Sequence, residues 1–261
     1  MSHRARKRFG QHFLHDPRVI ERIVRAIDPQ PGQTLVEIGP GLGAMTRPLL
    51  TATGAIDVIE IDRDVIPELE ARCAGGGELR VHQIDALDLS LTDLGPGPFR
   101  LVGNLPYNIS TPLLFHLLAQ GEHIRDMHFM LQKEVVDRLV AQPGSRTYGR
   151  LGVMAALSCT AERLFDVPPG AFQPRPRVIS SVVRLTPRQP DYPIPDPQLL
   201  ADLIRRAFSR RRKTLRNALR EVADTEIMVA VDIDPGKRPE TLAPEDFARL
   251  AEALHRRDAS A

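Results

Sequence analysis

The apolar positions in the first two-thirds of the chain fall into short, nearly unbroken runs: "TLVEIG", "AIDVIEID", "LRVHQID", "FRLVGN" and "DMHFMLQ". Continuous runs of this length predict strands buried on both faces, as in a parallel sheet covered by helices. Stretches of helical periodicity separate them, which makes a βαβ pattern and predicts a doubly wound α/β domain. Two helix starts are legible. In "STPLLFHLLAQG", Ser110 or Thr111 is the predicted cap, Pro112 the first helical residue and Gly121 the stop. In "RDVIPELEARC", Asp62 is the predicted cap, with Pro67 near the helix start.

The alternation breaks at "LFDVPPGAFQPRPRVISSVVRL", two β runs around a proline-rich loop, which predicts an antiparallel hairpin at the sheet edge. Residues 186–197, "TPRQPDYPIPDP", carry five prolines and read as a linker. Beyond it Leu199, Leu203 and Ala207, with Leu200, Ile204 and Phe208, keep helical spacing. The predicted organisation is an α/β domain over residues 1–185, the linker, and a small all-helical domain over 198–261.

Candidate chemistry lies at the ends of the predicted strands. "VEIGPGLGA" follows the first strand and opens a helix. Gly39, Gly41 and Ala44 fit a loose G-x-G-x-x-A pattern, in which glycine lets the backbone approach a ligand at a helix N-terminus. By itself the pattern also fits a tight strand-to-helix turn. Glu60 ends the second strand, where a carboxylate can accept both hydroxyls of a ribose. Asp85 ends the third, where a carboxylate can accept from the amine of an adenine. Either acid alone reads as a helix cap; the shared position of the set points to a nucleoside. A nicotinamide cofactor and S-adenosylmethionine fit equally well at this stage.

The fourth strand separates them. It runs into "NLPYNISTP", in which Pro106 presses Leu105 towards an extended conformation and leaves the Leu105 carbonyl without a helical partner. The side-chain oxygen of Asn104 is a second acceptor, and Tyr107 supplies a ring that can stack on a base. Two acceptors and a ring suit an amino group on an aromatic heterocycle. Such a nitrogen is a poor nucleophile, because its lone pair is delocalised. Acceptors that grip its N–H bonds favour a pyramidal nitrogen aimed at an incoming methyl carbon, a geometry closer to the transition state than to the ground state.

Composition removes several classes. Hydrophobic residues make up 42% and charged residues 26% of the 261, as expected of a soluble globular chain. The run "MSHRARKRFG" lacks the apolar core of a secretory signal, and no segment has the length of a membrane helix, so a cytoplasmic protein is expected. Cys73 and Cys159 stand alone, and no HExxH occurs, so no bound metal is expected. The net charge of +2 conceals two basic patches. Arg4, Arg6, Lys7 and Arg8 form one without an acid among them. Residues 198–220 form the other, with seven arginines and Lys213 against Asp202 alone. Patches on an otherwise acidic body attract a polyanion.

Together "FGQHFL", "VEIGPGLG", "VIEIDRD", "QIDALDL", "GNLPYNIST", "MLQKEVVDRL", "FQPRPRVISSVVRL" and "FSRRRKTLRNAL" closely resemble the KsgA-type (RsmA) small-subunit ribosomal RNA adenine dimethyltransferases. The blocks occur in order over nearly the whole chain. The resemblance implies a Rossmann-like class I methyltransferase domain with a small helical C-terminal domain. It further implies transfer of methyl groups from S-adenosylmethionine to N6 of two adjacent adenosines near the 3′ end of 16S rRNA, within 30S or pre-30S particles, by a monomer. Carried over block by block, it implies donor contacts from His12, Leu14, Gly39, Gly41, Glu60, Asp85 and Asn104. Tyr107 and Phe172 would stack on the two faces of the target adenine, and Asn104 with Leu105 would hold its amine. Arg210, Arg211, Arg212, Lys213 and Arg216, with the N-terminal patch, would follow RNA phosphates. His12 stands where many relatives have asparagine. Four rival expectations are a macrolide-resistance-type methyltransferase acting on large-subunit rRNA, a mitochondrial or eukaryotic relative, against which the eight residues before "FGQHFL" are too few for a transit peptide, a non-catalytic 30S assembly factor, and a nicotinamide dehydrogenase. The last leaves "NLPY" and the basic patches unexplained.

Overall fold

The computed structural model describes residues 12–259. Its strands are β1 (Phe13–Leu14), β2 (Leu35–Ile38), β3 (Ala55–Ile59), β4 (Glu78–His82), β5 (Phe99–Asn104), β6 (Ile124–Gln132), β7 (Cys159–Val167), β8 (Phe172–Gln173) and β9 (Ser180–Pro187). Its α-helices are α1 (Pro17–Ile27), α2 (Thr46–Thr53), α3 (Ile66–Cys73), α4 (Ser110–Leu118), α5 (Lys133–Leu139), α6 (Arg150–Ala156), α7 (Pro197–Ser209), α8 (Leu215–Ala218), α9 (Thr225–Ala230) and α10 (Pro244–Ala259).

Seven strands form one sheet in the order β4-β3-β2-β5-β6-β9-β7. The five apolar runs of the sequence are β2 to β6, all parallel. Their continuous apolar character has the predicted cause: every residue of β2 is buried, as are all but the last of β5. The two β runs of the predicted hairpin, β7 and β9, are neighbours at the sheet edge. β9 runs antiparallel to β6, from Met127 opposite Leu185 to Gln132 opposite Ser180, and β7 forms the edge. The proline-rich loop adds β8, which pairs with β1 and sets Leu14 opposite Phe172. Helices α1 to α3 contribute Ile23, Ile27, Leu49, Leu50 and Leu69 to a core shared with Ile56, Val58, Val102 and Phe172.

The predicted domain limits need correction. Contacts divide the chain into residues 1–136 with 160–187, and residues 137–159 with 188–261. Residues 137–159 are contiguous with the α/β run in sequence, yet Tyr148, Val153 and Leu157 are buried with Leu203, Ile204, Phe247 and Leu250 of the C-terminal helices. Burial of that apolar stripe, rather than the proline-rich stretch alone, sets the second unit. The helix caps also differ from expectation. Ile109 precedes α4, and Ser110 is already helical, its hydroxyl donating to the Tyr107 carbonyl at 3.2 Å. Asp62 accepts from Asp64 N at 3.3 Å in the turn before α3, which Val65 caps. Among the described residues no helix is long and apolar enough to cross a membrane.

Candidate active site

The sheet order decides where a ligand can sit. From β2 the chain winds outward through β3 to β4, then returns to the other side of β2 as β5 and β6, so the connections leave β2 and β5 in opposite directions. A crevice opens at such a switch point, beyond the carboxyl ends of the strands. It holds a cavity of about 540 Å³ whose wall includes Gly39 and Gly41 after β2, Glu60 after β3, Asp85 after β4, and Asn104, Leu105 and Tyr107 at the end of β5. His12 and Leu14 close it from the β1 side. The set assembled from the sequence is thus brought together, Phe172 excepted.

The glycine loop is shaped by necessity at two positions. Gly39 and Gly41 have φ of 68° and 53°, the left-handed region, and a Cβ on Gly41 would lie 3.0 Å from the Phe13 ring. Glu60 ties this loop to β3: Oε2 accepts from Gly41 N at 3.3 Å and Oε1 from Asp62 N at 2.8 Å. Burial raises its pKa, with the backbone donors of Asp62, Gly41 and Ile61 pulling the other way. Each carboxylate oxygen retains acceptor capacity for a ligand hydroxyl. Asp85 is a cap as well as a cavity residue: Oδ1 accepts from Leu87 N at 3.0 Å in the 3-10 turn Ala86–Asp88.

At β5 the Asn104 amide is held by one end. Nδ2 donates to the His12 carbonyl at 2.9 Å, leaving Oδ1 with no partner among the described residues. The Leu105 amide donates to the Met130 carbonyl at 3.2 Å, while its own carbonyl accepts nothing among the described residues. Both acceptors predicted from "NLP" are therefore at the cavity wall and without a donor among the described residues. The Tyr107 hydroxyl shares a 2.7 Å hydrogen bond with Ser180, a fully buried residue of β9, and burial raises the phenol pKa against the pull of that bond. The His12 ring lies 5.6 Å from the Tyr107 ring, and its Nδ1 donates to the Pro174 carbonyl at 2.7 Å.

Phe172 is a correction. It is 1% exposed, belongs to the core with Val102 and Met130, and is absent from the cavity wall. Its position opposite Leu14 in the β1–β8 pair turns it inward, so this structure gives it no face to offer a base. Sequence reasoning also missed residues that line the cavity: Glu37 inside β2, and the exposed Ile61 and Ile84. Glu37 is 1% exposed, with Oε2 buried and without a hydrogen-bond partner. Burial pushes its carboxyl up to about 7; the Thr46 hydroxyl draws it down and the Glu60 charge pushes it further up. The signal was a lone acid in an apolar run. Ser180 left no signal in the sequence at all.

Of the residues expected to contact RNA, Arg4, Arg6, Lys7 and Arg8 lie outside the described residues. Arg210 pairs with Glu221 at 3.3 Å, and Arg211 pairs with Glu240 and donates to the Arg146 carbonyl at 2.8 Å. Arg212, Lys213 and Arg216 are exposed and have no side-chain partner among the described residues. No group of three or more His, Cys, Asp or Glu among the described residues is placed to hold a metal.

A parallel sheet closed by an antiparallel strand between its last two members, with its cavity at the β2/β5 switch point, defines a class I methyltransferase fold. The family model for ribosomal RNA adenine dimethylase matches residues 2–256, and the chain belongs to that family. It is 53% identical over 254 residues to the ribosomal RNA small subunit methyltransferase A of Marinobacter nauticus, covering 97% of this chain and 92% of that one. With the protein of the same name from Pseudomonas aeruginosa it shares 53% over 256 residues, 97% and 95% of the two chains. Among solved structures, a dimethyladenosine transferase from Plasmodium falciparum superposes with a TM-score of 0.81 at 26% identity, over 95% of this chain and 98% of that one. The 23S rRNA methyltransferase ErmE superposes at 0.71 and 24% identity, over 93% and 99%, a likeness of fold.

Proposed function

We propose that this protein dimethylates N6 of two adjacent adenosines near the 3′ end of 16S rRNA, in the small ribosomal subunit or its precursor in the cytoplasm, with S-adenosylmethionine as donor. The observation that carries the reading is the pair of unsatisfied acceptors, Asn104 Oδ1 and the Leu105 carbonyl, on the wall of a cavity that already holds buried acids and a glycine loop. The cavity suits the donor. Glu37 presents a buried, unpartnered carboxylate oxygen to a site whose other buried acid is Glu60, an environment that favours a cationic ligand bearing hydroxyls.

When bound, the donor supplies an electrophilic methyl carbon on a sulfonium. Glu60 accepts from its ribose hydroxyls, the free oxygen of Asp85 from its adenine amine, and the glycine loop backs its amino-acid end. Asn104 and Leu105 accept the two N–H bonds of the target amine and turn its lone pair towards the cavity, while Tyr107 offers a ring face to the base. Neither acceptor is a strong base, and none is required: once methylated, the nitrogen is cationic and releases its proton readily. After the first transfer only one N–H remains, so one acceptor suffices for the second. Names borne by relatives at 53% identity point to the small subunit as substrate.

Offering labelled donor with 30S particles lacking dimethyladenosine beside naked 23S rRNA tests the reading. Label on two adjacent adenosines of the particle is expected. Label on 23S rRNA would reassign the substrate, and tight particle binding without label would make the protein an assembly factor.

A further inference from the structure

Loop 174–179 joins β8 to β9, and both of its ends are held at the cavity. Gln173 lines the cavity wall, and the Pro174 carbonyl accepts from His12 Nδ1 at 2.7 Å. At the other end the Ile179 carbonyl accepts from Lys133 N at 2.9 Å, and the next residue, Ser180, bonds the Tyr107 hydroxyl. Between these anchors Arg175, Arg177, Val178 and Ile179 face solvent, with Val178 40% and Ile179 45% exposed.

No described residue accounts for these four side chains. Arg175 and Arg177 make no hydrogen bond or ion pair with a described residue, whereas Arg80, Arg100, Arg184, Arg205 and Arg211 are each paired to a carboxylate. The other large apolar side chains exposed among the described residues are Ile61 and Ile84, which line the cavity, and Val229 in the helical unit.

Free cations interleaved with exposed aliphatic side chains, in a loop fixed at both ends, suit a strand of nucleic acid. Guanidinium groups take phosphates, and the aliphatic groups cover an exposed base or sugar face. Single-stranded geometry follows from the site. A base that reaches a cavity at the strand ends has left its stack, so its neighbours expose their faces at the mouth. Resting on the function proposed above, we propose that loop 174–179 docks the single-stranded RNA nucleotides flanking the target adenine, with Arg175 and Arg177 on phosphates and Val178 and Ile179 against an unstacked base.

The test uses unmethylated 30S particles as methyl acceptor and compares the parent with an Arg175→Ala/Arg177→Ala pair and a Val178→Ser/Ile179→Ser pair. Arg125→Ala is the control, an exposed arginine near the start of β6, at the opposite end of that strand from the cavity. The arginine pair is expected to raise KM for the particle about tenfold. It should also flatten the slope of log kcat/KM against log salt by about one to two, one phosphate contact being lost per arginine. The serine pair is expected to raise KM without changing the slope, and the control to change neither. Donor affinity, measured by calorimetry, is retained throughout, which separates these effects from misfolding. Parent-like KM and slope in the arginine pair would overturn the proposal. So would a raised KM with an unaltered slope, which assigns the loop to a partner that is not a polyphosphate. Absence of transfer by the parent itself would fail the function and the loop together, whereas transfer by the parent with unaltered arginine-pair kinetics fails the loop alone.

Discussion

Glu37 stands in β2 between Val36 and Ile38, all three buried, with one carboxylate oxygen that no described residue satisfies. Burial pushes its pKa up to about 7 from an ordinary 4.5. Between those values the folded chain holds a proton that the unfolded chain has lost, so this residue's contribution to stability falls as pH rises through that window. For a shift of this size the loss is on the order of 3 kcal/mol. Glu37→Gln removes the titration. Its stability relative to the parent, from urea unfolding at pH 4.5 and pH 8, is expected to improve by a few kcal/mol at the higher pH. A difference that does not move with pH would contradict the assignment. At this scale the glycines, Glu60, Asp85 and Asn104 were legible because each ends or follows an apolar run. Glu37 was hidden inside one, where the apolar majority dictates the reading. Phe172 rested on resemblance alone, and its pairing opposite Leu14 buries it.

At the scale of elements, Arg100 shows how a strand holds a helix. It lies in β5, 7% exposed, and its guanidinium donates to the Ile27 carbonyl at 2.6 Å, the Asp28 carbonyl at 3.1 Å and the Asp126 carboxylate at 3.0 Å. The first two are terminal acceptors of α1, which helix geometry leaves without internal partners. Arg100→Met strands Asp126 and both carbonyls. The expected loss is about 3–5 kcal/mol, and calorimetry should find Tm lower by roughly 10 °C. A change under about 1 kcal/mol would mean that water replaces the arginine without penalty. The strands were readable because their period and length are intrinsic. The caps were less so: Ser110 and Asp62 satisfy local turns one to three residues away from the predicted cap positions. The transfer of residues 137–159 to the helical unit depends on partners more than 40 residues distant, such as Leu203 and Phe247, which no local window contains.

For the molecule as a whole, charge along the sequence overstates free charge in space. The stretch 198–220 carries seven arginines, but Glu221, the next residue, pairs with Arg210, the more distant Glu240 pairs with Arg211, and Asp202 pairs with Arg205 and Arg206. The doubly wound class of the sheet, by contrast, was legible, although its strand order and the β1–β8 pair were not, and its consequence is the site. One reversal of strand order gathers the ends of β2, β3, β4 and β5, so four separate sequence motifs face one cavity. In the proposed reaction this convergence lets Asn104, anchored through Nδ2, turn its other amide atom, Oδ1, on a target amine. The most direct measurement is single-turnover transfer of labelled methyl to unmethylated 30S particles at saturating donor, comparing the parent with Asn104→Ala. The expected rate is lower by about 100-fold or more with particle binding retained, the scale seen when one preorganised polar contact to the reacting group is removed. Transfer by Asn104→Ala at the parent's rate would contradict it.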